Sequence, residues 1–255
     1  MKITDILSGT HKRHYTRGPR TRRLLQNSLV VNEGGNIFGD TSSFQHEMIP
    51  EIVNSINSVL GKTGVKAIPI GSGATPTPGK VSGDLDLIVD QNALAQEFSV
   101  DDAKTIRKKL RQLFDLAGFQ TGQSGVSVHV RVPMGDHAHQ VDIMVVQNAG
   151  DVSRFHTHAI PQGSPYKGVN KQIAMSYLAK EKGLKWSAFK GLLKREDDSL
   201  ISKDVNDIAK ILIGPNAIAQ DLGSVEAIMS ALPTQQATKM ITDLKADPNW
   251  KELPQ

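Results

Sequence analysis

Residues 82–89, Ser-Gly-Asp-Leu-Asp-Leu-Ile-Val, constrain the fold of this chain more than any other segment. Acids alternate with aliphatic residues, which predicts a strand with Asp84 and Asp86 on one face and aliphatic side chains on the other. Two carboxylates on one face of a buried strand repel each other unless a cation lies between them. Mg²⁺ suits such a pair because it is bound by one or two carboxylates together with substrate phosphates.

A glycine-serine turn precedes this strand. The apolar segment from Val65 to Ile70 predicts a strand that ends in Gly71-Ser72, and residues 73–83, with two prolines and three glycines, predict a loop. Glycine lets a backbone approach phosphates closely, and the Ser72 hydroxyl adds a donor. Lys80, within the loop, is a candidate contact to a triphosphate.

A third acid follows in a later apolar segment. Val141-Asp142-Ile143-Met144 lies within a strand predicted over 141–146. Nucleotidyl transfer requires a positioned triphosphate, neutralised charge and an aligned hydroxyl, which two metal ions supply in many enzymes. Asp84 and Asp86 are candidate ligands to both metals, and Asp142 is a candidate ligand to the metal that lowers the pKa of the acceptor hydroxyl.

In the order and setting of these segments the chain resembles the DNA polymerase beta-like nucleotidyltransferase superfamily. The matching residues are Ile70-Gly71-Ser72, eleven intervening residues, Asp84-Leu85-Asp86 and Val141-Asp142-Ile143. The resemblance implies an α+β fold with a mixed sheet flanked by helices, an NTP substrate such as ATP, and two Mg²⁺ or Mn²⁺ ions. One departure is that residues 74–79, Ala-Thr-Pro-Thr-Pro-Gly, are not helical in pattern, whereas many members continue from Gly-Ser into a helix.

A second resemblance begins at residue 163, in Gly-Ser-Pro-Tyr-Lys-Gly. In this superfamily a Ser/Tyr/Lys group after the third acid often contacts the nucleotide from a helical domain that closes the cleft. The resemblance implies that Tyr166 contacts the base or sugar and that Lys167 contacts the phosphates. The Gly-Asp-Leu-Asp-Leu core and a Gly-Gly-Asn-Ile-Phe segment at 34–38 also resemble small nucleotidyltransferases of tailed bacteriophages.

The rest of the chain divides into three parts: a basic N-terminal arm or lead-in at 1–44, a catalytic domain at 45–150 and a helical domain at 151–255. This division is based on hydrophobic periodicity and on the Gly and Pro residues that interrupt the periodic segments. In the catalytic domain the patterns predict helices over 45–60 and 101–117, a strand over 126–132 and a turn over 133–139. In the last part they predict helices over 171–182, 187–194, 203–213, 224–232 and 234–245.

Composition limits the function classes. No cysteine is present and no run of 18 apolar residues occurs, so disulfides, thiolate metal sites and a membrane span are not expected. With no signal-peptide pattern at the N-terminus, we expect a cytoplasmic protein, in the host cytoplasm for a phage-encoded one.

The net charge of +4 permits a nucleic-acid partner. Candidate contacts are concentrated at 11–23, a segment without acids that is equally consistent with an arm on an acidic patch or a solvated tail. Its basic residues are Lys12, Arg13, Arg17, Arg20, Arg22 and Arg23.

The favoured hypothesis is a transferase that moves a nucleoside monophosphate from an NTP to a hydroxyl on nucleic acid, either RNA, such as a tRNA 3′ end, or DNA, with release of pyrophosphate. The same fold could instead modify a protein or a small molecule. In a hypothesis of another class, the chain binds nucleic acid without catalysis. Base and sugar preference, template dependence and oligomeric state stay open.

Two weaker patterns are explained better by ordinary structural roles. His137, His139, His156 and His158 form two His-x-His pairs that suggest zinc, but the turn predicted over 133–139 and the lack of further ligands favour surface histidines. Trp186 and Phe189 are spaced for one helix face, which favours core positions over base stacking.

Overall fold

The computed structural model describes residues 37–156, 160–161, 163–250 and 252. The basic segment 11–23 and His158 lie outside the described residues, so the interpretations given to them above stay predictions. Within the described ranges, no helix is both long and apolar enough to cross a lipid bilayer.

The N-terminal half is built on a five-stranded sheet. The elements are β1 (Phe44–Gln45), α1 (Ile49–Leu60), β2 (Ile68–Pro69), β3 (Val81–Ser82), β4 (Asp84–Asp90), α2 (Gln91–Phe98), α3 (Ala103–Leu116), β5 (Gln120–Ser124), β6 (Ser127–Met134), β7 (His137–Val146) and α4 (Ala149–His156). The strand order of the sheet is β2-β4-β7-β6-β5, in which β4 and β7 pair in parallel and the other neighbours are antiparallel. The prediction of a mixed sheet flanked by helices is confirmed.

The two faces of this sheet differ in how they are covered. One face carries the aliphatic side chains of β4, β6 and β7, which pack with α1, α2 and α3 in the main core. On the other face, Ile88 and Val146 pack with α4 in a small separate cluster. The Asp90 carboxylate holds α4 in place by accepting a hydrogen bond from the Ala149 backbone N–H at 3.1 Å. The remainder of this second face is polar.

The C-terminal half contains a three-stranded antiparallel sheet as well as helices. The elements are α5 (Gly168–Glu181), β8 (Leu184–Ser187), β9 (Gly191–Lys194), β10 (Leu200–Ser202), α6 (Val205–Leu212), α7 (Val225–Ala231) and α8 (Thr234–Lys245). The strand order of this sheet is β10-β9-β8. The buried apolar residues of this half form a second core cluster. The division of the chain at residue 150 remains a prediction.

The helix predicted over 187–194 is wrong, because these residues form the turn and second strand of a hairpin. The Ser187 hydroxyl accepts hydrogen bonds from the backbone N–H groups of Phe189 and Lys190, which closes the turn. Gly191 has a φ of +96°, and a Cβ there would lie 2.5 Å from the Ser202 carbonyl oxygen. Trp186 is buried as predicted, whereas Phe189 is 41% exposed, so its predicted core position is also wrong.

The turn predicted over 133–139 is shorter than expected, since β7 already begins at His137. His137 is exposed, but His139 is only 2% exposed, so its interpretation as a surface residue is wrong. The His139 ring lies edge-on to Phe44, and its Nδ1 donates to the Ser42 carbonyl oxygen at 2.9 Å. His139 therefore fastens the segment before β1 to the start of β7, the central strand of the sheet.

Candidate active site

The three predicted carboxylates lie together on the polar part of the sheet face. In the parallel register of β4 and β7, Asp86 is directly opposite Asp142, and Asp84 is opposite Gln140. Successive residues of a strand point to opposite faces, so Asp84 and Asp86 share a face. All three aspartates are half-buried. The sequence prediction that a later strand brings the third acid beside the first two agrees with this placement.

Burial and mutual repulsion disfavour the charged forms of the first two acids. Burial, followed by the Asp84 and then the Asp142 carboxylate, raises the pKa of Asp86 to about 7. Burial, and next the Asp142 carboxylate, also raises the pKa of Asp84. In the part of the chain that the structure describes, no lysine or arginine forms an ion pair with either side chain. The site therefore carries negative charge that the protein itself does not balance.

Asp142 is held by a hydrogen-bonded network across three strands. Its Oδ1 accepts from His129 Nδ1 at 2.7 Å and from Gln140 Nε2 at 3.0 Å. The other ring nitrogen of His129, Nε2, lies 2.7 Å from Ser124 Oγ. Gln140 Oε1 in turn accepts from the Ile37 backbone N–H at 2.8 Å. One carboxylate oxygen of Asp142 is thus fixed, which orients the other.

His129, Ser124 and Gln140 were not singled out from the sequence. A signal for His129 was present, because β6 alternates Val128, Val130 and Val132 with polar residues, and the valines are fully buried. Alternation places His129 on the polar face, but only the antiparallel register sets it opposite Asp142. The sequence does not specify that register without the position of the turn.

The Gly-Ser turn adjoins the carboxylates. Gly71 has a φ of +58°, and a Cβ there would lie 3.9 Å from Asp86 Oδ2, so the turn passes directly beside this acid. The Ile70 backbone N–H donates to the Asp86 carbonyl oxygen at 3.0 Å, which joins the turn to β4. The segment 71–74 forms a single 3-10 turn and does not continue as a helix, in agreement with the sequence pattern.

A fixed histidine holds the loop that follows this turn. His46 is fully buried, and its Nδ1 accepts from the Thr77 backbone N–H at 3.1 Å. Its Nε2 therefore carries the proton and donates to Ser82 Oγ at 2.8 Å. Ser82 Oγ lies 3.4 Å from Ser72 Oγ, so the chain of contacts ends at the predicted phosphate-binding serine.

The same loop carries Lys80. Glu47 Oε1 accepts from the Gly79 backbone N–H at 2.7 Å, and the His46 backbone N–H donates to the Lys80 carbonyl oxygen at 2.9 Å. The backbone of Lys80 is thus anchored, while its side chain is exposed. Burial, and next the Lys80 charge, lowers the pKa of His46, which keeps the ring neutral and its acceptor nitrogen available.

The three aspartates supply only part of the ligands that a divalent metal ion requires. Among the described residues, no three His, Asp or Glu side chains form a preformed metal cage, and this includes the three aspartates. Mg²⁺, however, is seldom held by an all-protein cage and usually keeps positions for water and substrate phosphates. Asp84 and Asp86 offer hard oxygen ligands with unbalanced charge beside an open face, so the chemistry of the donor set fits Mg²⁺ or Mn²⁺.

The two residues implied by the second resemblance lie in the C-terminal half. Tyr166 is half-buried with its ring 5.4 Å from that of Trp250, and its backbone forms an isolated bridge with Glu252. Lys167 is exposed and precedes α5, where its backbone N–H donates to Asn170 Oδ1 at 3.2 Å. Within the described ranges, no hydrogen bond, ion pair or ring contact joins either residue to the three aspartates.

Of the second His-x-His pair only His156 lies among the described residues, where it belongs to no group of three potential metal ligands. His156, the described member of the pair, is half-buried at the end of α4, with its ring 5.5 Å from that of Phe189. Burial, and next the charge of Lys171, lowers the pKa of His156 to about 4. The ring is therefore neutral near pH 7.

Comparison with known proteins finds a structural neighbour but no family. No family model matches the sequence, and no curated protein matches it. Among solved structures the chain is similar to a Leishmania infantum polymerase beta described as a ternary P/T complex, with 14% sequence identity and a TM-score of 0.44. The similarity covers 71% of this chain and 72% of that one.

Proposed function

We propose that this protein is a metal-dependent nucleotidyltransferase of the polymerase beta-like superfamily, which moves a nucleoside monophosphate from an NTP to a hydroxyl on nucleic acid. The observation that carries the proposal is the parallel register that sets Asp86 directly opposite Asp142, with Asp84 two residues away on the same face. Burial and the neighbouring carboxylates raise the pKa of Asp84 and of Asp86, and the three acids together on one polar face suit cations and polyphosphate.

Each part of the site has a role in this proposal. Asp84 and Asp86 would hold two Mg²⁺ or Mn²⁺ ions together with the triphosphate, and Asp142 would complete the ligand set on the acceptor side. Such ions, when bound, would neutralise the charge of the phosphates and lower the pKa of the attacking hydroxyl. The Gly71-Ser72 turn contacts the phosphates beside Asp86. Lys80 reaches the triphosphate from its anchored loop.

The nucleotide contacts of Tyr166 and Lys167 are part of the proposal and require that the C-terminal half lies over the nucleotide. The favoured acceptor is nucleic acid because residues 11–23 carry six basic residues and no acid. Each phosphate neutralised by such a segment adds affinity that falls with salt. A cytoplasmic location and a phage origin likewise remain proposals.

The experiment that tests the function uses each of the four α-³²P-labelled NTPs with Mg²⁺ or Mn²⁺ and separate pools of RNA, DNA and protein. The control is the double variant Asp84→Asn/Asp86→Asn, and Asp101→Asn, an exposed acid before α3, serves as the matched substitution. We expect labelled nucleic acid and released pyrophosphate with wild type and Asp101→Asn, and no labelled product with the double variant.

The result also separates the alternatives. Label on protein or on a small molecule would identify that class as the acceptor and would still support nucleotidyl transfer as the reaction. In another outcome, the protein would give no labelled product and would bind RNA or DNA tightly, with an affinity that depends on salt and is unchanged by Asp84→Asn. That result would favour a nucleic-acid-binding protein without catalytic activity. If the folded double variant still labels the acceptor, Asp84 and Asp86 are not required for the reaction.

A further inference from the structure

The C-terminal half contains a cavity of about 450 Å³ that none of the three aspartates lines. It lies between α4, α5, β8, α6 and the 3-10 turn Ala219–Leu222. Its volume falls within the range of small-molecule sites, which is about 300–1,000 Å³. The walls are largely apolar and buried, and they include Phe155, Met175, Trp186, Ile208 and Leu222.

One lysine lines this cavity although it is almost completely buried. Lys171, near the start of α5, is 5% exposed, and burial lowers its pKa to about 8. Lysine is rarely buried to this extent, because removing an ammonium group from water is unfavourable unless an anionic or polar group compensates. An anion in the cavity would strengthen that compensation and favour the charged form of Lys171.

The charged residues at the edge of the cavity also favour an anionic ligand. Arg154 lines the cavity with a side chain that is 69% exposed, and it lies 3.6 Å from Asp151. Asp151 also lies 3.7 Å from Lys203, so its charge is shared between two cations. The one acid lining the cavity, Asp204, caps α6 by accepting from the Asp207 backbone N–H at 2.9 Å. The cations therefore outweigh the acids here.

The indole N–H in the aromatic wall of the cavity already donates a hydrogen bond within the protein. Trp186 Nε1 donates to Gln172 Oε1 at 2.8 Å, so the indole ring is fixed, and its ring lies 5.1 Å from that of Phe155 in an edge-on arrangement. A fixed pair of rings with no free donor offers an apolar surface rather than a hydrogen bond. A ligand that uses both features needs an apolar body and a negative group.

We propose that this cavity binds a small organic anion, whose carboxylate, sulfonate or phosphate pairs with Lys171 and Arg154 and whose apolar body packs against Trp186 and Phe155. Charge-assisted hydrogen bonds in a site walled by apolar groups are stronger than the same contacts in water. This proposal does not depend on the nucleotidyltransferase assignment.

The experiment uses the fluorescence of Trp186. The chain has two tryptophans, so Trp250→Phe in the full-length protein leaves Trp186 as the only tryptophan reporter. The probes are 1-naphthoate and 1-naphthylmethylammonium, which share an aromatic body and differ in charge. We expect saturable quenching with one naphthoate per chain, and binding of the cation weaker by about tenfold or more, the ratio produced by about 1.4 kcal/mol.

Two variants locate the anion. Lys171→Met keeps the length of the side chain and removes the charge, and we expect it to weaken naphthoate binding by about tenfold. Lys180→Met, an exposed lysine on the same helix, is the matched control and should bind as the parent does. Arg154→Gln changes an exposed side chain and should weaken naphthoate binding several-fold without altering the circular dichroism spectrum.

The proposal is overturned when the naphthyl cation binds as well as naphthoate, or when quenching does not saturate. It is also overturned when Arg154→Gln binds naphthoate as tightly as the parent. Because Arg154 lies at the surface, this last comparison is decisive even when Lys171→Met fails to fold.

Discussion

His129 Nδ1 lies 2.7 Å from Asp142 Oδ1, directly across the antiparallel pair β6–β7, and Asp142 itself lies opposite Asp86 across the parallel pair β4–β7. A buried imidazole, a carboxylate and a second carboxylate therefore form one row across three adjacent strands. Because the ring is only 5% exposed, it has little freedom to turn. The orientation of the third acid is thus set by a residue that does not touch the proposed substrate.

The first prediction concerns this positioning role. His129→Ala should lower kcat for nucleotidyl transfer by about 10–100-fold, the loss typical when a group that orients a metal ligand is removed. The KM for NTP should change little, because the Gly71-Ser72 turn and Lys80 are untouched. His129→Asn, whose amide can donate near the position of Nδ1, should recover part of the rate.

Steady-state kinetics with labelled NTP measures this, and His137→Ala, an exposed histidine on β7, is the matched control. Equal losses in His129→Ala and His129→Asn, accompanied by a lower melting temperature in both, would assign the ring to packing alone.

The alternation of acids and aliphatic residues was sufficient to predict the shared face of Asp84 and Asp86, because the side-chain period of a strand is two. The same rule identified β7 as a strand with Asp142 in it. Contacts that depend on register between strands were not predictable in this way. The bond from His129 to Asp142 needs the two-residue turn at Gly135, and the contacts of His46 reach Thr77 and Ser82 across 31 and 36 residues.

The wrong helix over 187–194 has a similar cause. Apolar residues at Phe189, Leu192 and Leu193 have helical spacing, yet the Ser187 hydroxyl closes a turn and Gly191 takes a φ of +96° against the Ser202 carbonyl oxygen. That close approach comes from β10, which is later in the chain. Hydrophobic periodicity within a short segment contains no information about contact with a later strand.

The second prediction follows from the raised pKa of Asp86. A carboxyl group with a folded pKa near 7 and an ordinary value of 3.8 contributes stability that is fully present below pH 3.8 and is lost as pH rises through about 7. The Asp86→Asn variant has no carboxyl group to ionise at this position, so it avoids this loss of stability. In the absence of divalent ions the variant should therefore be more stable than wild type at about pH 8, by roughly 1–3 kcal/mol, because partial exposure reduces the full effect of the shift.

Urea unfolding in EDTA at about pH 8 and about pH 5 measures the difference, which should shrink at the lower pH. Mg²⁺ added at the higher pH should stabilise wild type more than the variant. A difference between the two proteins that is the same at both pH values would show that the charge of Asp86 is not the cause.

The third prediction concerns Gly73, which follows the proposed phosphate turn. A Cβ at this position would lie 2.5 Å from Leu85 Cδ1, and Leu85 is 1% exposed in the main core. Gly73→Ala should therefore lower the free energy of unfolding by about 1–3 kcal/mol, as overpacking a core does. It should also displace the turn from Asp86 and reduce NTP binding.

Thermal unfolding and NTP binding are measured together for this variant. Gly61→Ala is the control, since no atom of another part of the chain lies within 4 Å of a Cβ built at Gly61 and its φ of −55° is accessible to alanine. A Gly73→Ala protein as stable as Gly61→Ala would mean that Leu85 moves aside without cost.

The fourth prediction links His46 to Lys80. His46 holds the loop by accepting from Thr77 and donating to Ser82, at 3.1 and 2.8 Å, and its backbone binds the Lys80 carbonyl oxygen. His46→Ala should therefore release the loop and raise the KM for NTP by about tenfold, the effect of losing one charge-assisted phosphate contact. Lys80→Ala should raise KM to a similar extent, whereas Lys62→Ala, an exposed lysine in another turn, should not.

The double variant decides whether the two residues act together. When His46 serves to position Lys80, removing both should cost little more than removing either, because the second substitution deletes a contact that the first has already lost. Initial rates over a range of NTP concentrations, with all four proteins of the cycle, give the coupling. Fold-increases in KM that multiply, to about 100-fold in the double variant, would show that the buried histidine and the exposed lysine contribute independently. The anchored loop would then be a structural support rather than a means of presenting Lys80 to the triphosphate.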